Sequence, residues 1–165
     1  MKKLIIAALL MVPMTIFAQK FGHFNSQEIL KAMPEVTALQ TEMQNVEKQY
    51  QTELKTMQEE IERKYSAFQT QKDSLPQNVQ QRRMQEIQEL NERLQQTSQS
   101  YQAEFEKQYT EKMQPIQQKV LNAIKEIGDT GGYVYIMDTT AGISYISSTL
   151  STDITAELKK KLGIK

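Results

Sequence analysis

Cysteine and tryptophan are absent from the 165-residue sequence, and histidine occurs once, at His23. Without cysteine there is no disulfide framework, no cysteine–zinc site, no thiol nucleophile and no lipid-bearing cysteine anchor. A serine–histidine–aspartate site would have to use His23, and no G-x-S-x-G motif accompanies it. Metal-ligand spacings and a phosphate-binding loop are missing as well. The sequence therefore predicts a protein that is not an enzyme and uses no cofactor.

The formal net charge is zero, because 20 lysines and arginines balance 20 aspartates and glutamates. This balance argues against nucleic-acid binding, which usually requires a basic surface. One stretch is uneven: between Arg63 and Arg83 the only acidic residue is Asp73. Its basic residues are Arg63, Lys64, Lys72, Arg82 and Arg83, a net charge of +4 with Asp73. Together with Tyr65 and Phe68, this stretch is predicted to contact acidic lipid headgroups or unfolded chains. The alternative is a solvated tip that keeps neighbouring arms apart.

Long apolar runs are confined to the N-terminus. Lys2 and Lys3 precede an apolar run over residues 4–12, and Ala18 precedes Gln19. The run is shorter than the roughly 20 residues of a membrane-spanning helix, so it predicts an export signal, residues 1–18, cleaved after Ala18. An uncleaved anchor is the alternative. Loss of the two lysines leaves 18 basic against 20 acidic residues, a net charge of −2.

Glycine does not occur between Gly22 and Gly128, an interval rich in helix-forming residues. A first apolar stripe consists of Val36, Leu39, Met43, Val46, Tyr50, Leu54, Met57, Ile61, Tyr65 and Phe68. Its nine steps cover 32 residues, a mean spacing near 3.6, which predicts one long helix. The pattern breaks at residues 73–76, where Ser74 is the predicted N-cap of the next helix and Pro76 lies in its first turn.

A second apolar stripe runs from Ile87 to Ile127, and the two stripes predict an antiparallel helical hairpin. Residues whose numbers add up to about 150 should then face each other. Pro34 and Pro115 would lie together at the base of this arm, with a bend at Pro115. Ser98 interrupts the second stripe opposite Tyr50 and Leu54. Two interpretations remain open, a soft layer in the arm or a tyrosine ring that fills the gap.

The two ends of the chain have a different pattern. Residues 20–24 are a strand candidate, and Asn25 with Glu28 is typical of a capping box that begins a short helix. Residues 133–137 and 143–147, separated by a turn, predict a second and a third strand that form a hairpin. A last helix is capped by Asp153 or Thr155 and ends at Gly163. These segments predict a small antiparallel sheet.

The predicted fold class is α+β and mainly helical. Its parts are a signal (1–18), a discontinuous β-rich body (19–33 and 116–165) and a helical-hairpin arm (34–115) with its tip near 73–76. A body this small is marginally stable alone, and its short strands expose edges that need covering. We therefore expect a homo-oligomer with the sheet at the interface. A monomer covered by its own helices is the alternative.

Four segments in this order resemble the Skp/OmpH family of periplasmic chaperones. They are F-G-H-F-N-S-Q-E-I-L-K-A-M-P-E, P-I-Q-Q-K-V-L-N-A-I-K-E-I-G, G-Y-V-Y-I-M-D and S-T-D-I-T-A-E-L-K-K-K-L-G. The resemblance covers essentially all of residues 19–165. It implies a jellyfish-like homotrimer in the periplasm, in which sheets form the central body and three arms enclose unfolded outer-membrane proteins. Such a chaperone holds its clients without ATP and prevents their aggregation.

The resemblance also implies which residues form the oligomerisation contacts and the basic arm site. The oligomerisation contacts assigned to the body are Phe21, Phe24, Tyr133, Tyr135, Ile143 and Tyr145. Arg82 and Arg83 match a basic arm site of the family, which suggests lipopolysaccharide as a further partner. This chain departs from the strongly basic family members, since its mature part is slightly acidic. The alternative function is a structural coiled-coil spacer or envelope tether that binds one folded partner.

Overall fold

The computed structural model describes residues 19–164, so the predicted export signal lies outside the described residues. The strands are β1 (Lys20–Phe24), β2 (Tyr133–Asp138) and β3 (Ser151–Asp153). The helices are α1 (Ser26–Ala32), α2 (Pro34–Gln71), α3 (Gln77–Gly131) and α4 (Thr155–Leu162). Two short 3₁₀ turns, Lys72–Ser74 and Thr139–Ala141, complete the order. The predicted class, mainly helical with a small sheet, is confirmed.

The two long helices, α2 with 38 residues and α3 with 55, contact each other through lysine–glutamate ion pairs. Glu35 pairs with Lys119, Glu42 with Lys112 at 3.0 Å, and Lys64 with Glu86 at 2.5 Å. Early residues of α2 thus meet late residues of α3, and the numbers in each pair add up to between 150 and 154. Both helices place part of their apolar stripes at this contact, which removes the stripe residues near each end from water.

The connection between α2 and α3 differs from its prediction. Ser74 belongs to the 3₁₀ turn that follows α2, and its hydroxyl donates to the Gln71 carbonyl at 2.7 Å. Pro76, in an extended conformation, is the N-cap of α3, so the prediction of Ser74 as N-cap was wrong. Pro34 is the first residue of α2, where a missing N–H costs nothing. Pro115 lies inside α3, which continues through it as helix.

The sheet is parallel, and the predicted antiparallel sheet was wrong. Its strand order is β2-β1-β3, with β1 in the centre and parallel to both neighbours. Residues 143–147 form no strand. The Asp138 carboxylate accepts hydrogen bonds from the backbone N–H groups of Thr140 (3.0 Å) and Ser26 (3.2 Å), which ties the end of β2 to the start of α1. After β2 the chain crosses to the far edge of β1, where β3 pairs, instead of folding back on β2.

One face of the sheet lies on the base core, where α1, α4 and the ends of the long helices meet. Ile29, Met33, Ile154 and Leu158 have no exposed surface there. The N-cap of α1 is confirmed, since Asn25 Oδ1 accepts the Glu28 N–H at 3.0 Å. The predicted capping box is incomplete. The Glu28 carboxylate does not accept the Asn25 N–H and instead binds Lys159 of α4 at 2.6 Å. The chain thus uses Glu28 to join α1 to α4.

The stop of α4 at Gly163 follows its prediction, but the N-cap of this helix is Ile154 and not the predicted Asp153 or Thr155. Asp153 Oδ1 accepts the Thr155 N–H at 2.9 Å at the start of α4. Gly163, with φ of 73°, ends the helix in the left-handed conformation that favours glycine.

The long helices contain two separate cores. The base core reaches Met43 on α2 and Met113 on α3, while a distal core consists of Ile61, Phe68 and Ile87. No residue on the helices between these limits is buried. We call Tyr50, Glu53, Ser98 and Tyr101, which lie in this interval, the middle layer.

Two tyrosines connect the helices across the middle layer. The rings of Tyr50 and Tyr101 stack with centroids 4.0 Å apart and an interplanar angle of 8°. The Tyr101 hydroxyl donates to the Glu53 carboxylate, and Gln108 Nε2 donates to the Tyr50 hydroxyl at 3.4 Å. Ser98 is exposed beside them. The stacked rings lie near Ser98 without closing the gap there, because Ser98 lines two open grooves, and this layer holds no buried apolar side chain.

Replacing Tyr101 with alanine should loosen the middle of the arm. The substitution removes the ring stack and the Glu53 hydrogen bond, two contacts between α2 and α3 in this layer. Amide hydrogen exchange near residues 50 and 101 should become roughly tenfold faster, as measured by mass spectrometry. Tyr109→Ala is the matched control, because Tyr109 is 41% exposed on the same helix. Equal exchange in the two variants would show that the stack does not stabilise this layer.

Candidate interaction surfaces

Within residues 19–164, no group of three or more histidine, aspartate or glutamate side chains is placed to hold a metal ion. No helix of the described part is long and apolar enough to cross a bilayer. His23 is half-buried on β1, and its Nδ1 lies 2.8 Å from the Ser151 hydroxyl of β3. The His23 side chain therefore links the neighbouring strands β1 and β3.

The face of the sheet opposite the base core is largely exposed to solvent. Side chains alternate along a strand, so Phe24 and Ile136 point to the core while Phe21, Tyr135 and Met137 share the opposite face. The rings of Phe21 and Tyr135 are stacked, with centroids 6.3 Å apart. Tyr135 is 62% exposed and Met137 53%. We call this surface the open face.

The open face continues onto the crossover between β2 and β3. A groove of about 350 Å³ separates the strands from this segment, and its apolar side chains include Ile143, Tyr145, Ile146 and Leu150. Tyr145 is 80% exposed and Leu150 75%. Large apolar side chains that cluster in this way on a surface mark a site of interaction with another molecule.

The residues predicted for the body divide between two faces. Phe21, Tyr135, Ile143 and Tyr145 all line the groove of the open face. Phe24 is 7% exposed and belongs to the base core, so it is not available to a partner. The assignment of Phe24 as an oligomerisation contact is therefore wrong for this fold.

Tyr133, also predicted as an oligomerisation contact, does not lie on the open face. The pairing of β1 with β2 skips Val134, because Lys20 pairs with Tyr133 and Phe21 pairs with Tyr135. This bulge breaks the alternation, and Tyr133 packs against the base core with the Lys20 ammonium 4.1 Å above its ring. Met137 and Leu150 also line the groove of the open face and were not predicted from the sequence. Met137 was detectable, since it follows Tyr135 by two positions on one strand.

At the arm tip, the structure exposes most of the predicted basic residues. Arg63, Lys72, Arg82 and Arg83 are exposed, and Tyr65 is 47% exposed. Lys64 is half-buried and binds Glu86 across the two helices at 2.5 Å. That hydrogen bond, with the nearby charges of Lys64, Arg83 and Arg82, lowers the pKa of Glu86.

Phe68 does not belong to the tip surface. It is 4% exposed and packs in the distal core with Ile61 and Ile87. Its place in the first apolar stripe, seven residues after Ile61, was the signal for burial. The exposed basic tip is therefore Arg63, Lys72, Arg82 and Arg83, with Tyr65 as its accessible ring.

The structure joins a small α/β body, which has one exposed apolar face, to a long helix pair with a basic end. These two surfaces define a protein that acts by contacting other molecules. The family model for outer membrane proteins of the OmpH-like type matches residues 20–162, so the chain belongs to the OmpH-like family. The family predicted from the sequence is thus confirmed.

A solved structure shares the fold. It is that of an OmpH-like protein from Caulobacter crescentus CB15, with a TM-score of 0.75 and 16% sequence identity. The alignment covers 87% of this chain and 83% of the Caulobacter chain. No relative was found among curated proteins.

Proposed function

We propose that this protein is an ATP-independent holdase chaperone of the periplasm, which binds unfolded outer-membrane proteins between helical arms and prevents their aggregation. The observation that carries the proposal is the long helix pair of α2 and α3, which extends from a small body and is only thinly packed. Membership of the OmpH-like family supports a chaperone role. The Caulobacter protein of the same fold is described as a candidate outer membrane chaperone.

The proposed assembly is a homotrimer joined through the open face. Tyr135, Tyr145 and Leu150 would be buried between protomers, which would remove the largest exposed apolar side chains of the body from water. The sheet has only three strands, and the outer edges of β2 and β3 would also be covered in such an assembly. The helix pair of each protomer, residues 34–115, would then protrude as an arm from the central body, with residues 19–33 and 116–165 forming that body.

Clients would be held by many weak contacts along the arms. Tyr65, Met84 and Tyr109 are each at least 41% exposed on the arm. Flexible methionine and amphipathic tyrosine side chains adapt to varied partners. The basic tip would contact acidic segments of a client, or the acidic groups of lipopolysaccharide and lipid headgroups. Residues 1–18 would direct export and be removed.

The experiment is an aggregation assay. A denatured outer-membrane barrel protein is diluted out of urea with increasing amounts of the mature chain, and light scattering is recorded without nucleotide. We expect near-complete suppression at about one trimer per client, since a holdase of this kind acts by stoichiometric enclosure rather than by turnover. No suppression at any ratio would contradict the proposal.

The tip is tested in the same assay. The triple variant Lys72→Glu, Arg82→Glu and Arg83→Glu reverses its charge and should weaken, without abolishing, the suppression. A wild-type protein that ignores unfolded clients, yet loses one folded partner in this triple variant, would instead indicate the spacer or tether function.

A further inference from the structure

A groove lies between α2 and α3 beside the stacked tyrosines of the middle layer. Its volume is about 500 Å³, and its lining includes Glu47, Tyr50, Leu54, Tyr101, Phe105 and Glu106. Leu54 and Ser98 also line a neighbouring groove, so the depression continues along the arm. We call the first of these the middle groove. It lies between the base core, against which its lining residue Phe105 packs, and the distal core.

Aromatic rings form the walls of the middle groove. Tyr50, Tyr101 and Phe105 are all half-buried, so part of each ring remains accessible to a partner. The stack between Tyr50 and Tyr101, together with the Tyr101–Glu53 hydrogen bond, holds two of the rings in place before anything binds. Rings that are already ordered lose little conformational freedom on binding.

The two charged side chains that line the middle groove are both acidic. Glu47 and Glu106 line it, Glu53 lies beside it, and no lysine or arginine contributes to its lining. The ion pairs among residues 19–164 include none of these three carboxylates. By contrast, Glu35, Glu42 and Glu86 on the same helix pair are each neutralised by a lysine from the opposite helix.

The hydrogen-bond partners of these carboxylates are neutral. Glu53 accepts hydrogen bonds from the Tyr101 hydroxyl and from Gln49 Nε2. Both bonds lower the pKa of Glu53, and the bond from Tyr101 has the larger effect. Glu47 accepts from Gln51 Nε2 at 3.1 Å. Among the described residues, neither an ion pair nor a hydrogen bond from a cation neutralises the carboxylates beside the groove.

We propose that the middle groove binds a lysine or arginine side chain, flanked by apolar residues, from an extended segment of an unfolded client. The accessible aromatic rings attract a cation through their faces, the carboxylates add charge complementarity, and the apolar walls accept the neighbouring side chains. Arginine fits best, because its planar guanidinium both stacks on rings and binds carboxylates. This inference rests on the proposed holdase function and adds to it. The basic tip would take acidic stretches of a client, and the middle groove would take basic ones.

The test uses the full mature chain and two short labelled peptides that differ at one type of position. One alternates aromatic residues with arginine, and the other has glutamine in place of each arginine. Fluorescence anisotropy should show about fivefold tighter binding of the arginine peptide, the effect expected for two exposed ion pairs with a ring contact. The double variant Glu47→Gln with Glu106→Gln should remove this preference.

A matched control separates the groove from the general charge of the arm. Glu60 and Glu111 are exposed on the same two helices and line neither groove, so Glu60→Gln with Glu111→Gln removes the same charge elsewhere. This control should keep the fivefold preference. Equal binding of the two peptides by the wild type, or equal loss of the preference in both double variants, would overturn the inference.

The aggregation assay, run on the same preparations, distinguishes the two proposals. Suppression by a wild type that shows no peptide preference would overturn the middle-groove inference and leave the holdase function standing. Arginine-selective binding without any suppression would support the groove as a cation site and overturn the holdase function.

Discussion

Replacing Leu158 with alanine is expected to lower the free energy of unfolding by about 3 kcal/mol. Leu158 has no exposed surface and lies in the base core, where α4 closes against α1 and the end of α3. Truncation there loses the transfer free energy of the side chain and leaves a cavity among residues that cannot all move inward. The measurement is urea denaturation followed by circular dichroism, at one fixed protein concentration because assembly would add to the stability.

Leu121→Ala is the matched control for this prediction. Leu121 lies on α3 and is 57% exposed, so the same chemical change removes little buried area and should cost less than about 0.5 kcal/mol. If Leu158→Ala and Leu121→Ala unfold at the same urea concentration, the base core does not limit the stability of the protein. Such a result would also show that the packing of α4 does not stabilise the body.

A second large effect is expected from Tyr145→Asp, which should convert the proposed trimer into monomers. Tyr145 is 80% exposed in the single chain, so an aspartate there costs the monomer little. In an interface made from the open face, the new carboxylate would be buried among apolar side chains without a partner. That burial costs several kcal/mol for each protomer. Sedimentation velocity should show the mass fall from three subunits to one.

The specificity of this effect is tested with Tyr109→Asp. Tyr109 is 41% exposed on α3 and far along the chain from the sheet, and its replacement should leave the trimer intact. Circular dichroism should show the same helix content in both variants. A trimer that survives Tyr145→Asp, or a wild-type protein that sediments as a monomer, would contradict assembly through the open face.

These two variants act at different levels. Leu158→Ala weakens the fold of each protomer, whereas Tyr145→Asp leaves the protomer folded and removes its partners. A protein that depends on its assembly for stability should also unfold at lower urea in Tyr145→Asp. The size of that shift measures how much of the body's stability comes from the partner subunits rather than from the base core.

The sequence by itself determined the helices. The apolar stripe from Val36 to Phe68 predicted a long helix, and α2 covers it from Pro34 to Gln71. The N-cap at Asn25 and the stop at Gly163 were also predictable. All of these signals come from residues within one or two helical turns of each other, so nearby sequence is sufficient to read them. The family, too, was visible in the order of the segments.

The tertiary structure decided how the strands pair. Nothing near residues 143–147 indicates that the Ile154 N–H will donate to the His23 carbonyl at 2.9 Å, or that Ser26 will bind Asp138. These contacts join positions more than a hundred residues apart, and they place β1 between two parallel neighbours. A pattern of alternating residues predicts that a strand exists, but it does not name the partner of that strand.

The same limit applies to the surfaces. Periodicity marked Ser98 as a break in the stripe, yet only the packing of α2 on α3 shows that Tyr50 and Tyr101 stack there and that Glu47 and Glu106 flank one groove. The bulge at Val134 turned Tyr133 toward the core, although its neighbours in the sequence predicted otherwise. Local sequence thus determined which elements form. Contacts between distant residues decided which faces they leave exposed, because burial depends on what packs against a side chain.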